Sequence, residues 1–168
     1  MKPNKRISKT PKYLFAEIEK KKAKAIENKV DLIDLSIGDP DKPTPQFIIN
    51  SMKNALDDPS THNYPPYEGT KDFRNAVAKW YKKRFGVELN PDEEVMSLIG
   101  SKEGIAHIIF ALIDSGDVGL IPDPSYPVYK VCTILAGGTP VMLPLKKEND
   151  FLIDFDSIDK SVLSKAKF

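Results

Sequence analysis

The residues best suited to chemistry stand at Gly100-Ser101-Lys102. Residues 95–99 are mostly apolar and end at a glycine, as in a short buried strand, whereas Ile105, Ile108, Ile109 and Leu112 recur at helical spacing. Gly100 is therefore expected to turn a strand into a helix. The first N–H groups of a helix lack intrahelical partners and carry the positive end of its dipole, so such a corner favours an anion such as phosphate. Ser101 adds a hydroxyl and Lys102 a full charge. An ordinary strand-to-helix turn with a serine N-cap has the same sequence, and the corner alone leaves both readings open.

Other candidates are spread along the chain. Tyr64 lies in His62-Asn63-Tyr64-Pro65-Pro66-Tyr67-Glu68-Gly69, where paired prolines exclude a helix and two aromatics are unusual for a mere connection. It either meets a ligand or lies over the core. Tyr126 follows Pro122-Asp123-Pro124-Ser125 and opens a helical stretch, so its ring either faces a ligand or packs on the helix it starts. Gly38-Asp39-Pro40-Asp41-Lys42-Pro43 is a rigid turn in which glycine allows close backbone approach, a candidate ligand-facing loop. Cys132 sits in an apolar stretch with neither histidine nearby in sequence and reads as a core residue. His62 and His107 lack metal-ligand partners at the usual spacing and are expected to be structural or surface residues, with no metal site.

These side chains need elements to hold them. Residues 1–11 are polar, basic and broken by Pro3 and Pro11, an arm that needs another surface to become ordered. Tyr13, Leu14, Ile18, Ala25 and Ile26 give the following helix an apolar stripe, with the lysines of residues 20–24 on its solvated face. Residues 32–37 alternate like a short strand. Thr44 is the expected N-cap of a helix that has Pro45 at its first position and ends near Asp57. Thr70 caps a further helix with Phe73, Val77, Trp80 and Tyr81 inside, Lys71, Arg74, Lys79, Lys82 and Lys83 outside, and Gly86 closing it. Strands at 95–99, 118–121 and 139–143 then alternate with helices at 101–113 and 126–135, which indicates an α/β fold with a mainly parallel sheet. Residues 154–165 read as another helix, and Lys167-Phe168 as the first step of a further strand.

Composition sets the outer bounds. A chain of 168 residues can form one ordinary domain and bury roughly 70% of its unfolded surface. Twenty-five basic against 24 acidic residues leave a net charge of +1, no general reason to bind nucleic acid or an anionic membrane. No apolar run reaches the roughly 18 residues of a membrane span. The single cysteine cannot form an internal disulfide, and no charged-apolar-small leader opens the chain, so a reducing cytoplasm is expected. No Gly-x-Gly-x-x-Gly or Walker pattern follows a strand.

Taken in order, Tyr-Leu-Phe-Ala-Glu-Ile at 13–18, Ile-Gly-Asp-Pro-Asp at 37–41, Tyr-Glu-Gly at 67–69, Leu-Ile-Gly-Ser-Lys-Glu-Gly-Ile-Ala-His at 98–107 and Pro-Asp-Pro-Ser-Tyr-Pro-Val-Tyr at 122–129 form a familiar set. The sequence from Tyr13 to Phe168 resembles the amino-terminal part of the fold type I, pyridoxal-phosphate-dependent aminotransferases of class I/II. Within them it is most similar to the branch acting on LL-diaminopimelate and 2-oxoglutarate in lysine and cell-wall precursor synthesis. The resemblance implies an incomplete three-layer α-β-α large domain spanning residues 44–168, preceded by an arm, helix and substrate-facing loop in residues 1–43. It implies pyridoxal 5'-phosphate as cofactor, bound through Tyr64, Ser101, Lys102 and Tyr126. Ser101 and Lys102 would hold the phosphate, Tyr126 would stack on the pyridine ring, and Tyr64 would reach the phosphate of a neighbouring subunit in a homodimer. Tyr13, Gly38, Lys102 and Tyr126 would contact the amino-acid and 2-oxo-acid substrates, although Tyr13 equally suits docking of its own helix. The Schiff-base lysine, the acid that pairs with the pyridine nitrogen and the arginine for the substrate carboxylate are expected beyond Phe168. No catalytic residue is therefore assigned, and the chain is expected to be inactive alone. An aspartate or aromatic aminotransferase of the same fold, or a non-catalytic fragment or half of a split enzyme, are the alternatives.

Overall fold

The computed structural model describes residues 2–168; Met1, the first residue of the expected arm, lies outside the described residues. The elements are α1 (Leu14–Glu27), α2 (Gln46–Asp57), α3 (Lys71–Phe85), α4 (Ser101–Leu112), β1 (Val118–Asp123), α5 (Pro127–Ala136), β2 (Thr139–Pro144) and α6 (Lys160–Leu163). They fall into two compact units, one of residues 31–97 and the other of residues up to 30 together with 98–168.

The second unit holds the sheet. β1 and β2 pair in parallel, from Val118 opposite Thr139 to Asp123 opposite Pro144, with α5 as the crossover. Both strands extend past their expected ends. On its other side β1 meets the last residues: Lys167 N–H donates to the Val118 carbonyl at 2.9 Å and Leu120 N–H to that of Phe168 at 2.8 Å. In place of the expected first step of a strand at Lys167-Phe168, an isolated parallel bridge joins Val118 to Ala166, and these bonds cover the start of the second edge of β1. The Phe168 ring lies over Gly119, where a Cβ would come within 2.7 Å of it. Ile109 and Ile113 meet Val128 and Cys132 in one core cluster, and Ile121 is fully buried in β1. Burial of one such aliphatic side chain stabilises by about 1.5–3 kcal/mol.

Residues 2–9 of the arm are exposed, and one of them reaches this unit's α5. Arg6 donates from Nη1 to the Leu135 carbonyl at 3.0 Å and lies against Gly137, at the end of α5 where the helix dipole favours a cation.

Several expectations change. Residues 95–99 form no strand: apart from Ser97 N–H donating to the Glu68 carbonyl at 2.9 Å, no ladder is made there. Residues 32–37 likewise have the alternating pattern of a strand but form none, and Ile33 and Leu35 are exposed. Residues 154–165 do not form one helix. Asp154 accepts from Ser157 N–H and Asp159 from Ser161 N–H, so a turn at Phe155–Ser157 closes before α6 opens. Short polar side chains that bond nearby N–H groups break a helix into separately capped pieces.

In the unit of residues 31–97, α3 runs as expected from its Thr70 cap to Gly86, which is left-handed at φ 71°. Pro45 rather than Thr44 is the N-cap of α2. The apolar faces of both helices are open, with Phe47, Met52, Leu56, Phe73 and Trp80 exposed. Arg74, expected outside, is buried instead.

Candidate functional site

Three helix starts supply one cleft. Tyr13 is the N-cap of α1, Lys102 stands in the first turn of α4, and Tyr126 is the N-cap of α5. The Lys102 ammonium lies 5.2 Å from the Tyr126 ring centroid and 5.8 Å from that of Tyr13. These are distances at which ring quadrupoles attract a cation. The two tyrosines and Lys102, with Pro127, Val128, Val131 and Cys132, line a cleft of about 200 Å³. Its floor is apolar and its only charge is positive.

Local sequence explains each placement. Asp123 ends β1, and Pro127 presets the first turn of α5, so Tyr126 stands at the carboxyl end of the parallel strand, where ligands of open α/β sheets bind. Gly100 adopts φ 82°, ψ 158°, which a residue with a Cβ does not tolerate. A Cβ there would meet nothing within 4 Å, so glycine serves the backbone and the space before the helix is open. Glu103, the one acid of that first turn, folds back and accepts from Ile99 N–H. The start of α4 has no side-chain cap, and Ser101 is exposed. The corner keeps its free donors, as expected, although no strand precedes it.

The Lys102 pKa is raised above the ordinary lysine value, first by a hydrogen bond to the Tyr126 oxygen and then by its charge interactions with Tyr126 and Tyr13. The ammonium is therefore retained throughout the neutral range. Burial pushes the Cys132 thiol up, with Lys102 opposing weakly, so it is a protonated wall of the cleft and not a nucleophile. No group of three or more His, Cys, Asp or Glu side chains suited to a metal occurs among the described residues.

Of the expected site residues, Tyr13, Ser101, Lys102 and Tyr126 belong to this unit. Tyr64 and Gly38 belong to the other. There Tyr64 is wholly exposed, and a Cβ on Gly38 would touch nothing within 4 Å. Sequence reasoning missed Arg74. Its place three residues before Val77 and seven before Tyr81, on the stripe taken as inward, was the available signal.

The cleft thus joins the uncapped start of α4 to two tyrosine rings. The family model "Aminotransferase class I and II" matches residues 30–168. The chain belongs to the class I and II aminotransferase family. It is 57% identical over 162 residues to LL-diaminopimelate aminotransferase from Halothermothrix orenii, covering 96% of this chain and 42% of that protein. The enzyme of the same name from Aquifex aeolicus is 56% identical over the same shares. Among solved structures, apo-BacF from Bacillus subtilis superposes with a TM-score of 0.88 at 34% identity, over 99% of this chain and 42% of that one. The aminotransferase fold is thus shared through the chain, which spans about 42% of the length of the curated relatives it matches.

The residues present fit the phosphate and ring of pyridoxal phosphate. The uncapped start of α4, with Ser101 and Lys102, suits the phosphate, and Tyr126 offers its ring at the mouth of the same cleft. No acid lines the cleft to meet a pyridine nitrogen.

Proposed function

We propose that this chain is the amino-terminal part of a pyridoxal-phosphate-dependent aminotransferase that moves the amino group of LL-diaminopimelate to 2-oxoglutarate. The observation that carries the reading is the meeting of Lys102, Tyr13 and Tyr126 at the uncapped start of α4. The names of relatives at 56–57% identity support the choice of substrate.

When bound, pyridoxal phosphate supplies an electron sink for the substrate's α-carbon. The residues here bind and orient. Ser101 and Lys102 hold the phosphate with the free N–H groups of α4, and Tyr126 stacks on the ring. Tyr13, Gly38, Lys102 and Tyr126 contact the substrate, and the Tyr64 hydroxyl donates to the phosphate across a homodimer. Residues 1–43 carry the substrate-facing part and residues 44–168 the first part of the cofactor domain. Neither the lysine that attaches the cofactor nor the acid for its ring nitrogen is assigned among these residues, so the 168-residue chain alone is inactive. A cytoplasmic setting suits these substrates.

The test begins with the DNA that follows the Phe168 codon. The complete polypeptide it encodes, or this chain mixed with a separately encoded partner half, is expected to bind pyridoxal phosphate and to form glutamate from LL-diaminopimelate and 2-oxoglutarate. Glutamate formed only from aspartate or an aromatic amino acid would replace the proposed donor. Absence of cofactor binding would overturn the reading.

A further inference from the structure

Tyr64 is exposed, yet the loop that carries it is tied at both ends. On the amino-terminal side the Thr61 hydroxyl donates to the Ala55 carbonyl at 2.6 Å, and His62 Nε2 lies 3.0 Å from the Leu56 carbonyl. Both contacts fasten the loop to the end of α2. On the carboxyl-terminal side Gly69 N–H donates to the Pro66 carbonyl at 3.0 Å, and Ser97 N–H to the Glu68 carbonyl at 2.9 Å. The buried anchor on this side is Arg74. Only 7% exposed, it donates from Nε to the Gly69 carbonyl at 3.2 Å and from Nη1 to the Pro91 carbonyl and to Asp92 Oδ1, the last at 2.8 Å. One guanidinium thus joins the foot of the tyrosine loop to the turn at residues 90–93. Between the two ties, Pro65 and Pro66 stiffen the backbone.

A loop that spends a buried arginine and two prolines on holding a solvent-facing tyrosine is preorganised toward something outside its own unit. We infer that Arg74 is the positioning residue for Tyr64: it fixes the Gly69 foot of the loop and so sets where the Tyr64 hydroxyl is presented. The inference rests on the proposed role of Tyr64 at the cofactor phosphate. Arg74 touches neither cofactor nor substrate. A lysine cannot replace it, because a single ammonium does not reproduce the fork that meets both carbonyls and Asp92 together.

The test uses the complete enzyme of the proposed function as wild type, Tyr64→Phe, Arg74→Lys and the double variant, with two readouts. Hydrogen–deuterium exchange needs no cofactor: Arg74→Lys is expected to speed exchange about tenfold in the peptide holding Gly69, with residues 101–112 unchanged. Unchanged exchange in that peptide would overturn the inference. Pyridoxal phosphate affinity, read by fluorescence titration of the apoenzyme, is expected to fall about threefold to tenfold in each single variant and no further in the double. Fully additive losses would show that Arg74 acts elsewhere and would equally overturn it. If Arg74→Lys does not fold, Asp92→Asn, which loosens the same guanidinium, takes its place in both readouts with the same expected pattern. A wild type that binds no cofactor refutes the proposed function, while the exchange readout still decides whether Arg74 holds the loop.

Discussion

Lys102 over the ring of Tyr126 sets up two separable interactions at one residue. On the proposed reading, stacking requires the ring and not its hydroxyl, and an aromatic stack contributes about 0.5–1.5 kcal/mol beyond burial. Tyr126→Phe in the complete enzyme is therefore expected to keep most of the cofactor affinity, and Tyr126→Ala to lose about tenfold, in a direct titration. Equal losses would transfer the role to the Tyr126 oxygen, which helps to raise the Lys102 pKa. That oxygen also gives Lys102 a titration with a definite sign. Because the folded pKa is raised, whatever the contact adds to stability is fully present below the ordinary lysine range and is lost as pH rises through the folded value. At this scale the sequence was legible wherever one residue type has one reason. Gly100 was such a case, and it is found at positive φ. Arg74 was not: a cationic residue on a helix is read by default as solvated, and that default outweighed its place on the inward stripe, which its distant partners at Pro91 and Asp92 explain.

Among the elements, the longer helices were legible, whereas isolated strands and the helix expected at 154–165 were not, for a physical reason. A helix closes its hydrogen bonds within itself, so Thr70 and Gly86 could be read as its ends from sequence alone. A strand exists only with a neighbour. Residues 118–123 and 139–144 had one, whereas 32–37 and 95–99 carried the pattern without a ladder. Gly69 offers a test of how tightly the loop is held. At φ 94°, and with Ser97 Oγ 2.5 Å from where a Cβ would stand, Gly69→Ala is both strained and crowded. In the complete enzyme it is expected to destabilise by about 1–3 kcal/mol in urea denaturation. Thr70→Ala, which removes only the cap to Phe73 N–H, should cost about 1 kcal/mol. The Arg74–Asp92 pair adds a pH dependence. Hydrogen bonding from Arg74, then the charge of Lys71, lowers the Asp92 pKa, so its contribution holds above the ordinary aspartate range and disappears as pH falls through the folded value. Accordingly, in the complete enzyme the urea midpoints of wild type and Asp92→Asn should differ at pH 7 and converge with acidification. A constant gap would mean that Asp92 acts only through shape.

For the whole molecule, the open apolar faces dominate behaviour. Leu14 and Ile26 on α1, Phe47 and Met52 on α2, Trp80 and Phe85 on α3, and Ile108 and Phe110 on α4 are all exposed. Open apolar faces of this kind are normally covered in a soluble monomer. The isolated 168-residue chain is expected to elute as aggregates or broad mixtures in size-exclusion chromatography and to melt without one cooperative transition. A sharp monomer peak with a single transition would show that these faces need no cover. The order in which the sheet closes has a consequence for synthesis. β1 pairs on one side with a strand that starts roughly 20 residues later and on the other with residues roughly 48 later. At about 5–20 residues per second, the ribosome leaves its second edge waiting for several seconds. Codons between residues 123 and 166 are thus a control point for yield: slow translation there prolongs the time in which nascent chains can pair with one another instead of with residues 166–168 of their own chain.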